Sequence, residues 1–218
     1  MDMSGCEILH HFMKTLVVDY NIGNLQSMVN ALKMVGGDVI VSNKGEDFEK
    51  ASHIVLPGVG AFGEGMKNLE ALGLIELLHK HVIEKKKPFL GVCLGMQLIC
   101  GYSCEGGDYK GLGWVTSKVQ YLGQGITGLL IPHVGWNDVV PRDKSVLFPD
   151  PLKTYVFYFV HSYHCESESQ DVVSSECFYG RKFTASFEHE NIFATQFHPE
   201  KSQLLGLELL GNFLNYRF

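Results

Sequence analysis

The sequence predicts a single α/β domain with a mixed, mostly parallel central sheet that is flanked by helices and carries an antiparallel extension. In the first half of the chain, short β-rich runs alternate with amphipathic helical segments, as in parallel sheets. In the second half, β-type runs follow one another without long helices, which favours antiparallel hairpins. A length of 218 residues and a hydrophobic content of 45% are enough for one well-formed core. We therefore predict one domain over residues 14–218, after an N-terminal extension, residues 1–13, that lacks apolar patterning and is expected to be flexible.

The first half is predicted to form alternating strands and helices. Gly36 and Gly37 end the first helix, and apolar residues at helical spacing from Met66 to Val82 predict a long, mostly helical stretch whose apolar stripe covers the sheet. The predicted strands cover residues 15–19, 39–42, 53–56 and 88–92, and the predicted helices cover 25–35, 46–51 and 61–85.

The second half is predicted to be mostly β-structure with one final helix. Ser202 is placed to cap that helix, and glycines between residues 101 and 113 interrupt the chain before it. The predicted strands cover residues 115–122, 128–131, 154–160, 182–188 and 191–197, and the predicted helix covers 204–214.

Charge and composition exclude several function classes. The chain has 18 basic and 24 acidic residues, a net charge of -6, and its one run of lysines, Lys85 to Lys87, is expected to end a solvated helix rather than bind nucleic acid. No apolar run is long enough to cross a membrane, and the first residues lack a signal-peptide pattern. We therefore expect a cytoplasmic protein that contacts neither membrane nor nucleic acid.

The six cysteines are expected to be reduced thiols, because nothing in the sequence indicates secretion. Cys100 and Cys104 have a metal-like spacing, but no second Cys or His pair follows at a zinc-site distance. We predict neither a metal site nor a cofactor.

The segment Gly91-Val92-Cys93-Leu94-Gly95 is predicted to be a nucleophile elbow. A nucleophile on a sharp strand-to-helix turn needs small residues two positions before and after it, and Gly91 and Gly95 satisfy that requirement. The following helix directs free N–H groups at the sulfur and favours the thiolate. The alternative is that Cys93 is an ordinary buried residue.

A base and an oxyanion site can be placed beside Cys93. His198 follows the last predicted strand, and Glu200, two residues on, could orient its imidazole; the alternative is a surface turn around Pro199. The N–H groups of Leu94 and Val59 could hold an oxyanion. Glycines on both sides of Val59 would let its N–H turn toward or away from that site, or they could serve only to turn the chain.

Five segments together resemble the class I, or triad, glutamine amidotransferases, and in particular the glutaminase subunits of imidazole glycerol phosphate synthase. The resemblance runs from about residue 15 to residue 213 and identifies residues 14–218 as a glutamine amidotransferase type 1 domain. It implies hydrolysis of glutamine to glutamate and ammonia, which would pass to a (β/α)8-barrel cyclase partner in a heterodimer that serves histidine biosynthesis. The segments are Pro57-Gly58-Val59-Gly60-Ala61-Phe62, Gly91-Val92-Cys93-Leu94-Gly95-Met96-Gln97, Pro132-His133-Val134-Gly135-Trp136-Asn137, Phe159-Val160-His161-Ser162-Tyr163 and Gln196-Phe197-His198-Pro199-Glu200-Lys201-Ser202.

The resemblance also implies residue roles. Cys93 would form a glutamyl thioester, His198 would act as acid and base, and Glu200 would orient His198. Residues expected to contact glutamine are Gly60, Gln97, Ser162 and Tyr163; residues expected to lie toward the partner are Asn24, Trp136, Tyr158 and Lys201.

Three other functions compete with this interpretation. The same glutaminase could supply ammonia to an enzyme that amidates surface-polysaccharide sugars, because no residue of this chain contacts the acceptor. A different Cys-His hydrolase, such as a γ-glutamyl hydrolase or a DJ-1-type protein, is disfavoured by the segments around Trp136 and Tyr163. A degenerate, non-enzymatic binding subunit is disfavoured by the intact Cys93, His198 and Glu200.

Overall fold

The computed structural model describes residues 14–218, so the predicted extension at residues 1–13 lies outside the described residues. The strands are β1 (Lys14–Val18), β2 (Asp38–Ser42), β3 (His53–Gly58), β4 (Phe89–Cys93), β5 (Cys100–Ser103), β6 (Tyr109–Lys110), β7 (Val115–Tyr121), β8 (His133–Pro141), β9 (Tyr155–His161), β10 (Tyr163–Ser167), β11 (Val173–Tyr179), β12 (Arg181–His189) and β13 (Ile192–Thr195). The α-helices are α1 (Gln26–Met34), α2 (Gly45–Lys50), α3 (Phe62–Ala71), α4 (Leu74–Leu78), α5 (Leu94–Leu98) and α6 (Gln203–Asn215).

The main sheet has the order β2-β1-β3-β4-β13-β12-β11-β8-β9. Its first part, from β2 to β13, is parallel, and its second part, from β13 to β9, is antiparallel. The predicted fold class, an α/β domain with a mixed sheet and an antiparallel extension, is confirmed. Strands β4 and β13 lie side by side in the parallel part, so the segments after their carboxyl ends meet at one edge.

The central parallel strands of the main sheet, β1, β3, β4 and β13, are buried on both faces. Side chains alternate along each strand, so Leu16 belongs to the core under α3 and α4, whereas its neighbour Val17 belongs to the core under α1 and α6. Each large side chain removed from water in this way contributes roughly 1.5–3 kcal/mol before chain entropy is subtracted. The two cores hold the sheet, and with it the ends of β4 and β13, as a rigid frame.

A second, smaller sheet has the order β10-β7-β5-β6 and packs beside the end of α5. The predicted strand at residues 115–122 is therefore present as β7, but it belongs to this sheet and not to an extension of the main sheet. The turn between β9 and β10 joins the two sheets. Residues in that turn can consequently line a cavity between them.

The predicted, mostly helical stretch over residues 61–85 is confirmed, and the structure divides it into three parts. Gly73 adopts a left-handed conformation with φ of 63°, and the N–H groups of Leu72 and Gly73 close the end of α3 on Asn68 O and Glu70 O. A short helix, α4, follows, and the chain then forms a π-helical turn over His79–Glu84. Helical spacing of apolar residues continues through such a break, so periodicity alone could not detect it.

The predicted strand at residues 128–131 is wrong, because Gly128 has φ of 80° and the segment forms bends before β8. Strand β8 itself was missed. It buries His133 and half-buries Asn137, while Val134 and Trp136 point outward and are exposed. The usual alternation of apolar inside and polar outside is reversed there, so the pattern did not resemble a strand.

The described residues contain no helix that is both long and apolar enough to cross a membrane. Within the same residues, no three side chains of His, Cys, Asp or Glu are grouped so that they could hold a metal ion. Cys93, Cys100, Cys104, Cys165 and Cys177 are free thiols.

Candidate active site

Cys93 occupies a sharp turn between β4 and α5. Its backbone has φ of 53° and ψ of -103°, a conformation that L-residues rarely adopt. A Cβ atom on Gly91 would lie 2.7 Å from Gly95 O, and one on Gly95 would lie 1.8 Å from Leu56 O. Glycine is thus required at both positions, at Gly91 because the turn folds back on itself and at Gly95 because α5 packs on β3. The predicted elbow geometry is confirmed.

His198 and Glu200 lie next to each other just after β13. The Nδ1 atom of His198 is 2.8 Å from Glu200 Oε1, and both side chains are nearly inaccessible to solvent, at 2% and 8% exposure. The backbone N–H of His198 donates to Tyr158 O over 2.9 Å, which ties the segment to β9. Glu200 reaches the ring through a short 3-10 turn over Pro199–Lys201, not through the extended segment that the i, i+2 spacing had suggested.

The electrostatics of His198 favour a protonated ring. Burial by itself lowers the pKa of His198, but the Cys93 side chain and the Glu200 carboxylate outweigh burial and raise it to about 10. The carboxylate accepts from Nδ1, while the buried Nε2 has no hydrogen-bond partner within residues 14–218. Nε2 is therefore the ring nitrogen that is left to exchange a proton with the sulfur or with a substrate.

Ser202 supports the segment that carries His198 and Glu200. Its hydroxyl donates to His198 O over 2.6 Å and accepts from the Tyr158 N–H over 3.0 Å. It was predicted to be the N-cap of α6, and it does occupy that position, but its side chain makes no capping hydrogen bond. That part of the prediction is wrong, because the hydroxyl binds two backbone groups outside α6 instead.

A cavity of about 390 Å³ opens at the Cys93 turn. It brings together the predicted nucleophile, both predicted oxyanion residues and all four residues that were expected to contact glutamine. Contact of these residues with a substrate stays a prediction. The lining residues with such expectations are Cys93, Val59, Leu94, Gly60, Gln97, Ser162 and Tyr163.

The turn at Val59 is less free than its two glycines suggested. A Cβ atom on Gly58 would lie 2.0 Å from the Tyr20 hydroxyl, so Gly58 is needed for close packing at the end of β3. Gly60, by contrast, has φ of 116°, and among residues 14–218 a Cβ atom placed on it would meet nothing within 4 Å beyond its own chain neighbours. Conformational freedom at this turn therefore belongs to Gly60.

A second cavity, of about 170 Å³, shares Val59 with the first and is lined by His198, Glu200, Asn24 and Lys201. Lys201 Nζ lies 6.0 Å from the centre of the Tyr158 ring, whose centroid is 6.1 Å from that of Trp136. The residues expected to lie toward a partner, Asn24, Trp136, Tyr158 and Lys201, are thus neighbours in space. Their contact with a partner stays a prediction.

Two titratable side chains of the first cavity, Glu105 and His161, were not predicted from the sequence. Glu105 follows β5, and burial raises the pKa of its carboxyl although the Phe62 N–H donates to it over 2.9 Å. No spacing or motif pointed to Glu105. His161 lies within a segment that carried the resemblance, but nothing in its neighbours indicated a role.

His161 belongs to a directed row of hydrogen bonds. Its Nδ1 donates to Tyr163 O over 2.8 Å, so its Nε2 accepts from His133 Nδ1 over 3.0 Å, and His133 Nε2 accepts from Asn137 over 3.2 Å. Burial lowers the pKa of His133 to about 4 and that of His161 to about 3. Both rings are consequently neutral near pH 7, which preserves the direction of the row.

Solved structures of known proteins share this fold. The chain is similar to a putative GMP synthase subunit from Thermoplasma acidophilum, with a TM-score of 0.71 and 21% identity over 94% of each chain. It is similar to PurLQS from Thermotoga maritima with a TM-score of 0.71 and 17% identity, over 94% of this chain and 98% of the other. At these identities the likeness concerns the fold alone.

Sequence comparison is more specific. Residues 16–215 match the family model described as glutamine amidotransferase class-I. The chain is 46% identical to imidazole glycerol phosphate synthase subunit HisH of Aquifex aeolicus, over 92% of this chain and 96% of the relative. It is 45% identical to subunit HisH 1 of Campylobacter jejuni, over 90% of this chain and 97% of the relative. The chain therefore belongs to the class I glutamine amidotransferases, enzymes with glutaminase activity, and within them to the family of HisH subunits of imidazole glycerol phosphate synthase.

Proposed function

We propose that this chain hydrolyses glutamine through a Cys93-His198-Glu200 triad and supplies the ammonia to a cyclase subunit. One observation carries the triad: a buried imidazole, held at Nδ1 by Glu200 Oε1 at 2.8 Å, has its pKa raised to about 10 by Cys93 and Glu200. A proton held on the ring beside the sulfur is what thioester chemistry requires at the start of the reaction.

In the first half-reaction, the Cys93 thiolate attacks the side-chain carbonyl carbon of glutamine. The oxygen that becomes negative would accept from the N–H groups of Leu94 and Val59, each donor contributing roughly 3 kcal/mol to the transition state. His198 transfers its proton from Nε2 to the leaving nitrogen, the C–N bond breaks, and ammonia departs. A glutamyl thioester remains on Cys93.

In the second half-reaction, His198 is neutral and takes a proton from water. The resulting hydroxide attacks the thioester, the C–S bond breaks, and glutamate leaves as the thiolate is restored. Glu200 keeps the proton on Nδ1 throughout and stabilises the charged ring whenever it forms.

Glutamine recognition is proposed for the wall of the first cavity. The α-ammonium group of glutamine needs an anionic partner, and Glu105 provides the carboxylate of the cavity wall. Gly60, Gln97, Ser162 and Tyr163 are proposed to hold the remaining polar groups. Partial burial of Glu105 strengthens its attraction to a cation because water screens the pair less.

The proposed acceptor is the substrate of a (β/α)8-barrel cyclase that forms a heterodimer with this chain and makes imidazole glycerol phosphate and an aminoimidazole carboxamide ribotide in histidine biosynthesis. Support comes from the Aquifex and Campylobacter relatives, both named as subunits of imidazole glycerol phosphate synthase. Neither is named as a polysaccharide sugar amidation enzyme. Further support is the second cavity, which runs from His198 to Asn24 and Lys201.

Cys93→Ala tests the division of labour. The variant should lose glutamine hydrolysis, while the complex that it forms with the cyclase should still use added ammonium salts at nearly the normal rate, because the thiolate serves only to release ammonia. An assembled complex that ammonium salts do not rescue would show that Cys93 has a structural role instead.

Co-purification of the native partner tests the acceptor. A cyclase that turns over its substrate with ammonium alone would support the proposal, and recovery of a sugar-modifying enzyme would contradict it. Glutaminase rates of the isolated chain, the empty complex and the acceptor-loaded complex would also show whether the partner stimulates hydrolysis, as the turn at Val59 leads us to expect.

A further inference from the structure

Two buried side-chain amides join the wall of the first cavity to the Cys93 sulfur. Gln97 Nε2 donates to Tyr163 O over 3.1 Å and to Gln196 Oε1 over 3.2 Å. Gln196 Nε2 in turn donates to Cys93 Sγ over 3.7 Å. Gln196 is fully buried, and its backbone N–H donates to Ala185 O, so solvent cannot replace either contact of its side chain.

The direction of both amides follows from the backbone carbonyl at the far end. A carbonyl oxygen only accepts, so the group of Gln97 that faces Tyr163 O is its NH2 group. The same NH2 group faces Gln196, which therefore presents its oxygen to Gln97 and its own NH2 group to the opposite side. That side is occupied by the sulfur. Reversing the Gln196 amide would place its NH2 group against the NH2 group of Gln97 and its oxygen against the sulfur. Two donors would then face each other on one side, and two acceptors on the other.

The sulfur has a second polar neighbour, which favours the protonated thiol, whereas Gln196 favours the thiolate. Val160 O lies 4.0 Å from Cys93 Sγ, where a carbonyl can only accept from the protonated thiol. The Gln196 N–H, as a donor, interacts best with the thiolate. Burial raises the pKa of Tyr20 and of Cys165, so these two side chains stay neutral near pH 7. The positive charge beside the sulfur therefore comes from His198. The titratable side chains that interact with the sulfur are His198, Tyr20 and Cys165.

We propose that Gln196 is a positioning residue for the nucleophile: its N–H holds the Cys93 thiolate in one orientation, and its oxygen links that thiolate to Gln97 in the cavity wall. The inference rests on the proposed role of Cys93 as the nucleophile. Hydrogen bonds to charged acceptors are the stronger ones, and a water-free site strengthens them further. Gln196 thus offers the sulfur a neutral donor in addition to the charged ring of His198.

The test is the pH dependence of Cys93 alkylation by iodoacetamide, followed for each cysteine by peptide mass spectrometry. Exposed Cys104 reacts in the same sample and serves as the internal reference. Gln196→Met removes the donor while it keeps an unbranched side chain of similar length. Asn191→Leu is the matched control, because Asn191 is another buried amide, next to β13, whose N–H groups donate to two backbone carbonyls and not to sulfur.

In Gln196→Met, the midpoint of the Cys93 alkylation profile should rise by about one pH unit relative to that of the unmodified chain. Asn191→Leu should leave the midpoint unchanged although it destabilises the fold. Gln97→Met leaves Gln196 in place but removes the group that orients its oxygen, so the same shift should appear at smaller size. This variant keeps the test decisive if Gln196→Met does not fold.

If Gln196→Met or Gln97→Met folds and its alkylation midpoint equals that of the unmodified chain, the proposal is overturned. It is also overturned if Asn191→Leu shifts the midpoint as much as Gln196→Met does. Alkylation does not require glutamine hydrolysis. A chain that fails to hydrolyse glutamine would therefore contradict the proposed function, whereas the alkylation profile decides the role of Gln196 by itself.

Discussion

Ser202→Ala should destabilise the protein by about 2–4 kcal/mol and impair catalysis. The substitution leaves the Tyr158 N–H without its acceptor, which costs about 1–3 kcal/mol for a donor removed from water, and it removes the bond to His198 O, which contributes about 1 kcal/mol. For a chain of this size, that loss corresponds to a fall of about 5–15 °C in Tm. Because the same bonds hold the turn that carries His198, kcat should fall about 10- to 100-fold.

A second substitution separates this role from helix capping. Aspartate is as good an N-cap as serine, so Ser202→Asp would keep full stability if residue 202 only capped α6. A carboxylate cannot donate to His198 O, so we expect Ser202→Asp to be at least as damaging as Ser202→Ala. Urea denaturation and glutaminase rates would be measured with the exposed Ser27→Ala, expected within about 0.5 kcal/mol of the parent, as control. Full stability of Ser202→Asp would refute the reasoning.

Three further predictions concern the triad, the elbow and acid stability. His198→Asn should reduce glutaminase activity more than Glu200→Gln, since the ring transfers protons and the carboxylate orients it; equal activity of the two variants in a glutamate-release assay would remove the triad assignment. Gly95→Ala should destabilise the fold by more than about 3 kcal/mol, because its Cβ would lie 1.8 Å from Leu56 O. Gly211→Ala should instead stabilise α6 by about 0.5–1 kcal/mol, because the space around its Cβ is open. Comparable urea-unfolding midpoints for the two variants would contradict this. Burial lowers the pKa of His53 to about 4, so below its ordinary pKa of 6.5 the unfolded chain binds a proton at this residue that the folded chain does not, and the contribution of His53 to stability should fall by about 2–3 kcal/mol from pH 7 to pH 4.5. His133 and His161 add to the total fall, which His53→Gln should reduce by this amount; an unchanged pH profile would argue against a neutral buried ring.

Much of the first half of the fold could be predicted because local rules govern it. The alternation of β-rich runs with amphipathic segments specified the parallel strands, and Gly73 was overlooked only because helical spacing persisted across it. The second half was harder, since the apolar residues of β8 point outward and its polar His133 points inward. Such a reversal depends on what covers each face, and the spacing of residues along one strand does not contain that information.

The sequence by itself determined the elbow, because steric demands at a sharp turn act over a few residues. Gly91 and Gly95 are required for backbone approach, and the spacing around Cys93 expresses that requirement directly. The order of His198 and Glu200 likewise indicated an imidazole with its own carboxylate, although the 3-10 turn that joins them was not foreseen.

Only the tertiary structure decided which distant groups complete the site. Glu105 reaches the cavity because the small sheet packs beside α5, and the Ser202 hydroxyl does not cap α6 because β9 brings the Tyr158 N–H within 3.0 Å of it. The row from Gln97 through Gln196 to the sulfur joins segments about one hundred positions apart. Burial then removes water as a competitor, so the partner that packing provides determines the role of each polar group, and packing is a property of the whole chain.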